Sequence, residues 1–115
     1  MYKTAYAEEA GASAQTMRDS ERQVFQQSID LLKEAEAAGA GTMAATEAIV
    51  FTRRLWTLLL EDLSSEENAL PEEMRASFIS IGLWVMRETE EIRLGKSNNF
   101  KGLIEVTTTI RDGLK

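Results

Sequence analysis

The chain has 115 residues, a formal net charge of −6, and neither cysteine nor histidine. A chain of this length is expected to form one domain with a proper hydrophobic core. The absence of cysteine excludes disulfides and thiolate chemistry, and the absence of histidine removes the commonest metal ligand and general base. We therefore expect a protein that is not an enzyme and that carries no metal or other cofactor.

The acidic balance also bears on partners and location. Net negative charge repels the phosphates of nucleic acids and anionic lipids, so neither direct nucleic-acid binding nor membrane binding is expected. The longest uncharged run, residues 76–86, is far shorter than the roughly 18 residues that a spanning helix needs. The first residues include Glu8 and Glu9 and have no apolar central region, which is unlike a signal peptide. The expected location is the cytoplasm.

The first segment, residues 1–15, is small and polar with two tyrosines, Tyr2 and Tyr6, and is predicted to be a flexible arm. The first helix is predicted to begin at Thr16, with Ser20 as a rival cap. An apolar face then follows at helical spacing, made of Val24, Phe25, Ile29, Leu32 and Ala35. Gly39 and Gly41 are expected to end this helix, because glycine adopts the left-handed conformation without steric cost.

The second helix is predicted from about Thr42 to Leu63, and it is unusually apolar. Only a narrow polar strip remains on it, formed by Glu47, Arg54, Thr57 and Glu61. A helix of this kind has to be covered on most sides. The polar segment 64–68 is predicted to be a turn.

The third helix is predicted to start at Pro71, whose missing donor is not needed in a first turn, and to stop at Gly95 after Arg93. Its apolar residues recur in steps of three, four and seven, at Met74, Phe78, Ile81, Val85 and Ile92. This pattern predicts the central helix of the domain.

The fourth helix is predicted over about Phe100 to Asp112, with Asn98 or Asn99 as its cap. The β-branched run 106–110 would suit a strand equally well by propensity. A lone strand would have no partner in an otherwise helical chain, so the helix is preferred. The short connections favour an all-α fold, a small antiparallel bundle of about four helices over residues 16–115 behind the flexible arm.

Candidate binding residues lie on the second and third helices. Arg53 and Arg54 stand beside Trp56, and two interpretations remain open. In the structural one, Arg54 pairs with Glu47 or Glu61, Arg53 extends over the core and Trp56 is buried. In the functional one, the arginines and an exposed tryptophan form a docking patch, since both residue types are favoured at interfaces. Trp84 has apolar neighbours and is more typical of a core.

The two middle helices also carry more apolar surface than two short amphipathic helices would cover. Several methionines add adaptable side chains of the kind found at adjustable binding surfaces. These features predict an exposed groove that accepts an amphipathic helix of a partner. A closed core or a homodimer would bury the same surface and is the alternative.

The order and spacing of several short motifs resemble the FlaF family of alphaproteobacterial flagellar regulators. The matching pieces are Ala5-Tyr6, Thr16-x-Arg18-Asp19-x-Glu21, Arg53-Arg54-Leu55-Trp56-Thr57 with Asp62-Leu63, Glu67-Asn68-x-Leu70-Pro71-Glu72-x-Met74-Arg75-Ala76, Trp84-Val85, Gly95 and Ile110-Arg111-x-Gly113-Leu114. The chain departs from the family pattern at Met17, where proline is frequent, and in the segment 96–100.

The resemblance implies a non-enzymatic cytoplasmic protein that is needed for flagellin production. FlaF-like proteins are thought to bind flagellin as a secretion chaperone and to act opposite FlbT, which restrains the translation or stability of flagellin mRNA. The hypothesis is that an apolar groove formed mainly by the second and third helices holds the helical ends of flagellin. The candidate contacts are Arg53, Arg54, Trp56, Arg75 and Trp84, and weaker candidates are Tyr2 and Tyr6. Regulation through FlbT or the mRNA alone and a structural homodimer are the rival hypotheses.

Overall fold

The computed structural model describes residues 10–113, which form four α-helices. They are α1 (Ala10–Ala38), α2 (Met43–Leu63), α3 (Glu72–Arg93) and α4 (Phe100–Gly113). No strand occurs in this part of the chain. The predicted all-α bundle of four helices is confirmed, and the β-branched run 106–110 is helical.

Helix α1 begins earlier than the sequence analysis placed it. Residues 10–15, assigned to the arm, are already helical, and Thr16 lies inside the helix. The physical reason is composition, because this stretch contains three alanines, the residue with the highest helix propensity. The rest of the predicted arm, including Tyr2 and Tyr6, lies outside the described residues.

The ends of α2 and α3 follow the sequence signals closely. Thr42 is the N-cap of α2, and its hydroxyl accepts a hydrogen bond of 3.2 Å from the amide of Ala45. Helix α3 begins at Glu72, one residue later than predicted, and Pro71 is its N-cap. At the other end Gly95 has a φ of +77°, and the amide of Lys96 bonds the carbonyl of Glu91 over 2.8 Å. This is the glycine-terminated helix end expected there.

Helix α4 is held by local side-chain bonds as well as by packing. The Asn99 side chain accepts a 3.0 Å hydrogen bond from the amide of Gly102, so Asn99 is the cap. The hydroxyls of Thr107 and Thr109 donate to the carbonyls four residues earlier, over 2.7 and 2.9 Å. These bonds satisfy the threonine hydroxyls within the helix, which allows a β-branched sequence to remain helical.

Neighbouring helices pack as α1 with α2, α2 with α3 and α1 with α4, whereas α3 and α4 touch only slightly. The core lies between them and is built from fully buried apolar side chains such as Leu32, Ala48, Trp56, Val85 and Leu103. Each helix also buries one hydroxyl residue completely, Ser28, Thr52, Thr89 and Thr107. Ser28 and Thr52 join α1 to α2 through a 2.8 Å hydrogen bond, so these two buried hydroxyls are paired as burial requires.

Candidate functional site

Trp56, the most prominent candidate from the sequence, is not on the surface. Its side chain is 0% exposed, and its ring meets Phe25 edge to face with the centroids 6.4 Å apart. The indole N–H has no hydrogen-bond partner among the described residues. The structure therefore corrects the docking interpretation for this residue, because a side chain buried among three helices cannot contact a partner in this conformation.

Arg53 joins α2 to α3 from a half-buried position. Its Nη1 donates to the carbonyl oxygen of Met86 over 2.8 Å and to the hydroxyl of Thr89 over 2.9 Å. The carbonyl of Met86 also accepts from Thr89, so three polar groups share one site between the helices. This arrangement agrees with the structural interpretation of Arg53, in which the side chain serves the fold.

The remaining candidates are spread over the surface of α2 and α3 and do not converge. Arg54 is exposed, and the expected ion pair with Glu47 or Glu61 is not formed in the described part of the chain. Arg75 lies in the first turn of α3 and is half-buried. Trp84 is half-buried and packs against the core cluster. Tyr6 lies outside the described residues.

The adjacent arginines give a matched pair of variants. Replacing Arg53 by methionine removes the bonds to Met86 and Thr89, and we expect a loss of about 1–3 kcal/mol in the free energy of unfolding. Arg54→Met removes an exposed charge without a partner and should change stability by less than about 0.5 kcal/mol. Urea unfolding followed by circular dichroism compares the two, and equal effects would contradict the role assigned to Arg53.

Helices α2 and α3 meet directly at their centre. Gly82 brings α3 so near α2 that a Cβ atom there would lie 2.6 Å from Leu60 Cδ2 and 3.1 Å from Trp56 Cε3. Close approach through a glycine leaves no room for a third helix between the two at this height. A groove formed mainly by these two helices, as predicted from the sequence, therefore has to lie elsewhere on their surface.

Apolar surface nevertheless remains on the two middle helices. Two large aliphatic side chains of α2, Val50 and Leu58, are more than half exposed, as is Leu83 of α3. Met74 near the start of α3 is exposed to 47%. The excess of apolar surface predicted from the sequence lies on the outer faces of the two helices and at one end of the pair.

A space at the end of α4 was not anticipated from the sequence. Trp56 contacts Phe25 of α1 and the backbone at Gly82 of α3, so these three residues lie at one height in the bundle. Arg111 donates to the side chain of Gln26, the residue after Phe25, and α4 ends two residues later at Gly113. Neighbouring helices run in opposite directions, so α4 ends at about the height of Gly82 in α3. Residues 72–80 of α3 therefore extend past the end of α4, over about 13 Å at 1.5 Å per residue. We call this space the notch.

An open cavity of about 450 Å³ occupies the α1 side of the notch. Its lining is polar and comprises Asp19, Arg22, Gln23, Gln26, Arg111 and Asp112. Arg111 is already engaged, by Gln26 and by a 2.8 Å ion pair with Asp112. Two arginines and two aspartates leave this wall without a net charge, so it does not favour an anion or a cation.

Two charged side chains on the surface of α3, Glu90 and Arg93, have shifted pKa values. The side-chain hydrogen bond from Arg93 lowers the pKa of Glu90 and raises that of Arg93, and the Nε–Oε1 distance is 2.6 Å. Both side chains are accessible to water, which screens the pair. A poised acid and base of the kind found in active sites is therefore not among the shifted groups.

No group of three or more acidic side chains within residues 10–113 is placed to hold a metal ion. No helix in the described residues has the length and apolar character needed to cross a bilayer. The sequence matches the family described as Flagellar protein FlaF over residues 2–114. The chain belongs to the FlaF family. No curated protein and no solved structure gives a significant match.

Membership of the FlaF family confirms the resemblance drawn from the motifs, and the protein is a flagellar one. The motif residues of the FlaF pattern fall into two groups in the structure. Some are structural, since Trp56 is buried and Asn68 bonds back to the carbonyl of Asp62 over 3.2 Å. Others, such as Arg54 and Met74, are exposed and available to a partner. Sequence similarity alone does not separate the two groups, because both occur in the same short motifs.

Proposed function

We propose that this FlaF protein is a cytoplasmic chaperone that binds unassembled flagellin and thereby promotes flagellin supply to the growing flagellum. Family membership supports a flagellar role. The observation that supports binding is the apolar surface on α2 and α3, where Val50, Leu58, Met74 and Leu83 remain exposed. Large apolar side chains that a fold leaves in water are typical of protein interaction sites.

The kind of partner follows from the geometry of this surface. The exposed residues belong to helices, and a helical segment with one apolar side is the usual complement to apolar side chains displayed on helices. Burying one Leu or Val completely contributes about 1.5–3 kcal/mol, so a few such contacts support a micromolar complex once ordering costs are subtracted. Holding a helical end of flagellin in this way would prevent its premature self-association.

Calorimetric titration with purified flagellin tests the proposal. We expect binding by the wild type and an affinity at least about tenfold lower for Met74→Ser, which corresponds to about 1.4 kcal/mol. Met43→Ser is the matched control, because Met43 is more exposed than Met74 but lies at the opposite end of α2 from the notch. Its affinity should stay within about twofold of the wild type.

The rival functions predict different results in the same preparation. Absence of any interaction at tens of micromolar wild-type protein, by calorimetry and by pull-down, would remove the chaperone role. A gel shift with the flagellin leader mRNA, or binding to FlbT without flagellin, would then favour the regulatory alternative. A dimer by light scattering, disrupted by Met74→Ser, would favour the structural homodimer.

A further inference from the structure

One face of α3 changes from buried to exposed along its length. Met74, Phe78, Ile81 and Val85 are spaced by four, three and four residues, so they share a face of the helix. Val85 is 0% exposed and Met74 is 47% exposed, with Phe78 and Ile81 between them half-buried. The same core-facing stripe therefore continues into the notch, where α4 no longer covers it.

The opposite wall of the notch is the part of α1 that lies just beyond the end of α4. Gln26, which bonds Arg111 of α4, is followed toward the notch by Arg22 and Asp19 at steps of four and three. These side chains are polar and line the 450 Å³ cavity. The notch thus has an apolar wall on α3 and a polar wall on α1, and it continues the interface that α4 forms with α1.

We propose that the notch receives a short amphipathic helix of flagellin, which completes the fourth corner of the bundle in line with α4. This inference rests on the proposed function and gives it a location. An occupant of about nine residues, two to three turns, spans the uncovered length of α3. Its apolar side packs on Met74, Phe78 and Ile81, and its polar side meets Arg22 and Gln23.

The electrostatics of the helix ends favour one direction for the occupant. The last carbonyls of α4 carry partial negative charge at Gly113. The N-terminus of the incoming helix, with its partial positive charge, is best placed against this end. The occupant then runs parallel to α4 and antiparallel to α3, as the neighbouring helices of the bundle already do.

Blocking the notch covalently provides the test, and the chain is suited to it because it contains no cysteine. Met74→Cys is labelled with a bulky maleimide, and flagellin affinity is measured by calorimetry. Leu94→Cys with the same label is the matched control, because Leu94 is 50% exposed but lies at the far end of α3. We expect the label at position 74 to weaken binding at least about tenfold and the label at position 94 to change it by less than about twofold.

The outcomes separate this inference from the proposed function. If the wild type binds flagellin and both labelled proteins bind equally well, the notch is not the site, although the chaperone role stands. If the wild type does not bind flagellin, the proposed function and this inference both fall. Should the label at position 74 disturb the fold by circular dichroism, Met74→Asp against Leu94→Asp gives the same comparison without a label.

Discussion

Replacing Trp56 by alanine is expected to lower the free energy of unfolding by about 3–5 kcal/mol. The indole is 0% exposed, packs edge to face on Phe25 and closes the contact between α2 and α3 at Gly82. Its removal leaves a cavity that three helices cannot fill by small movements. Small domains are stable by only about 5–15 kcal/mol, so this variant loses a large share of its stability. Urea unfolding followed by circular dichroism gives the value without relying on tryptophan emission.

Trp56→Phe is the control that separates packing from hydrogen bonding at this position. Phenylalanine keeps an aromatic ring against Phe25 and removes the indole N–H, which is buried without a partner at a cost of about 1–3 kcal/mol. We expect a destabilisation less than half that of the alanine variant. Equal losses for both variants would contradict this account, and so would a loss below about 1 kcal/mol for alanine.

Replacing Gly82 by valine is expected to destabilise the protein by about 2–3 kcal/mol through overpacking. A Cβ atom at this position would lie 2.6 Å from Leu60 Cδ2, 3.0 Å from Leu60 Cγ and 3.1 Å from Trp56 Cε3. The leucine is half-buried and can move outward, whereas the tryptophan cannot. Valine therefore forces α2 and α3 apart at their central contact.

The same contact can be tested by relieving it. In Gly82→Val combined with Leu60→Ala, the shortened side chain makes room for the new methyl groups, and we expect the double variant to be more stable than the sum of the two single changes by at least about 1 kcal/mol. Gly82→Ala is a milder comparison, because the gain of about 1 kcal/mol in helix propensity offsets part of the clash. Additive effects in the double variant would mean that the two residues do not share the contact.

The sequence by itself determined the helices of this protein, because helix-forming signals are local. Thr42, Asn99 and Gly95 specify ends through bonds and backbone conformations within a few residues. The apolar period of α3 predicted a core-facing stripe from Met74 to Ile92, and its second half is buried as expected, at Val85 and Ile92. Helix α1 begins before the predicted cap at Thr16, because the alanines that precede this residue have a high helix propensity.

The residue roles were decided only by the tertiary structure, because they depend on distances between helices. Arg53 and Arg54 are adjacent and chemically identical, yet one bonds the backbone of α3 and the other faces water. Whether a tryptophan is buried depends on a glycine 26 positions away, since Gly82 brings α3 against Trp56. The notch likewise arises because α4 has 14 residues and α3 has 22. This difference in length exposes one end of α3 only once the two helices are placed in the same bundle. Local sequence patterns specify elements, and the relative lengths and contacts of those elements specify the surfaces that a partner can reach.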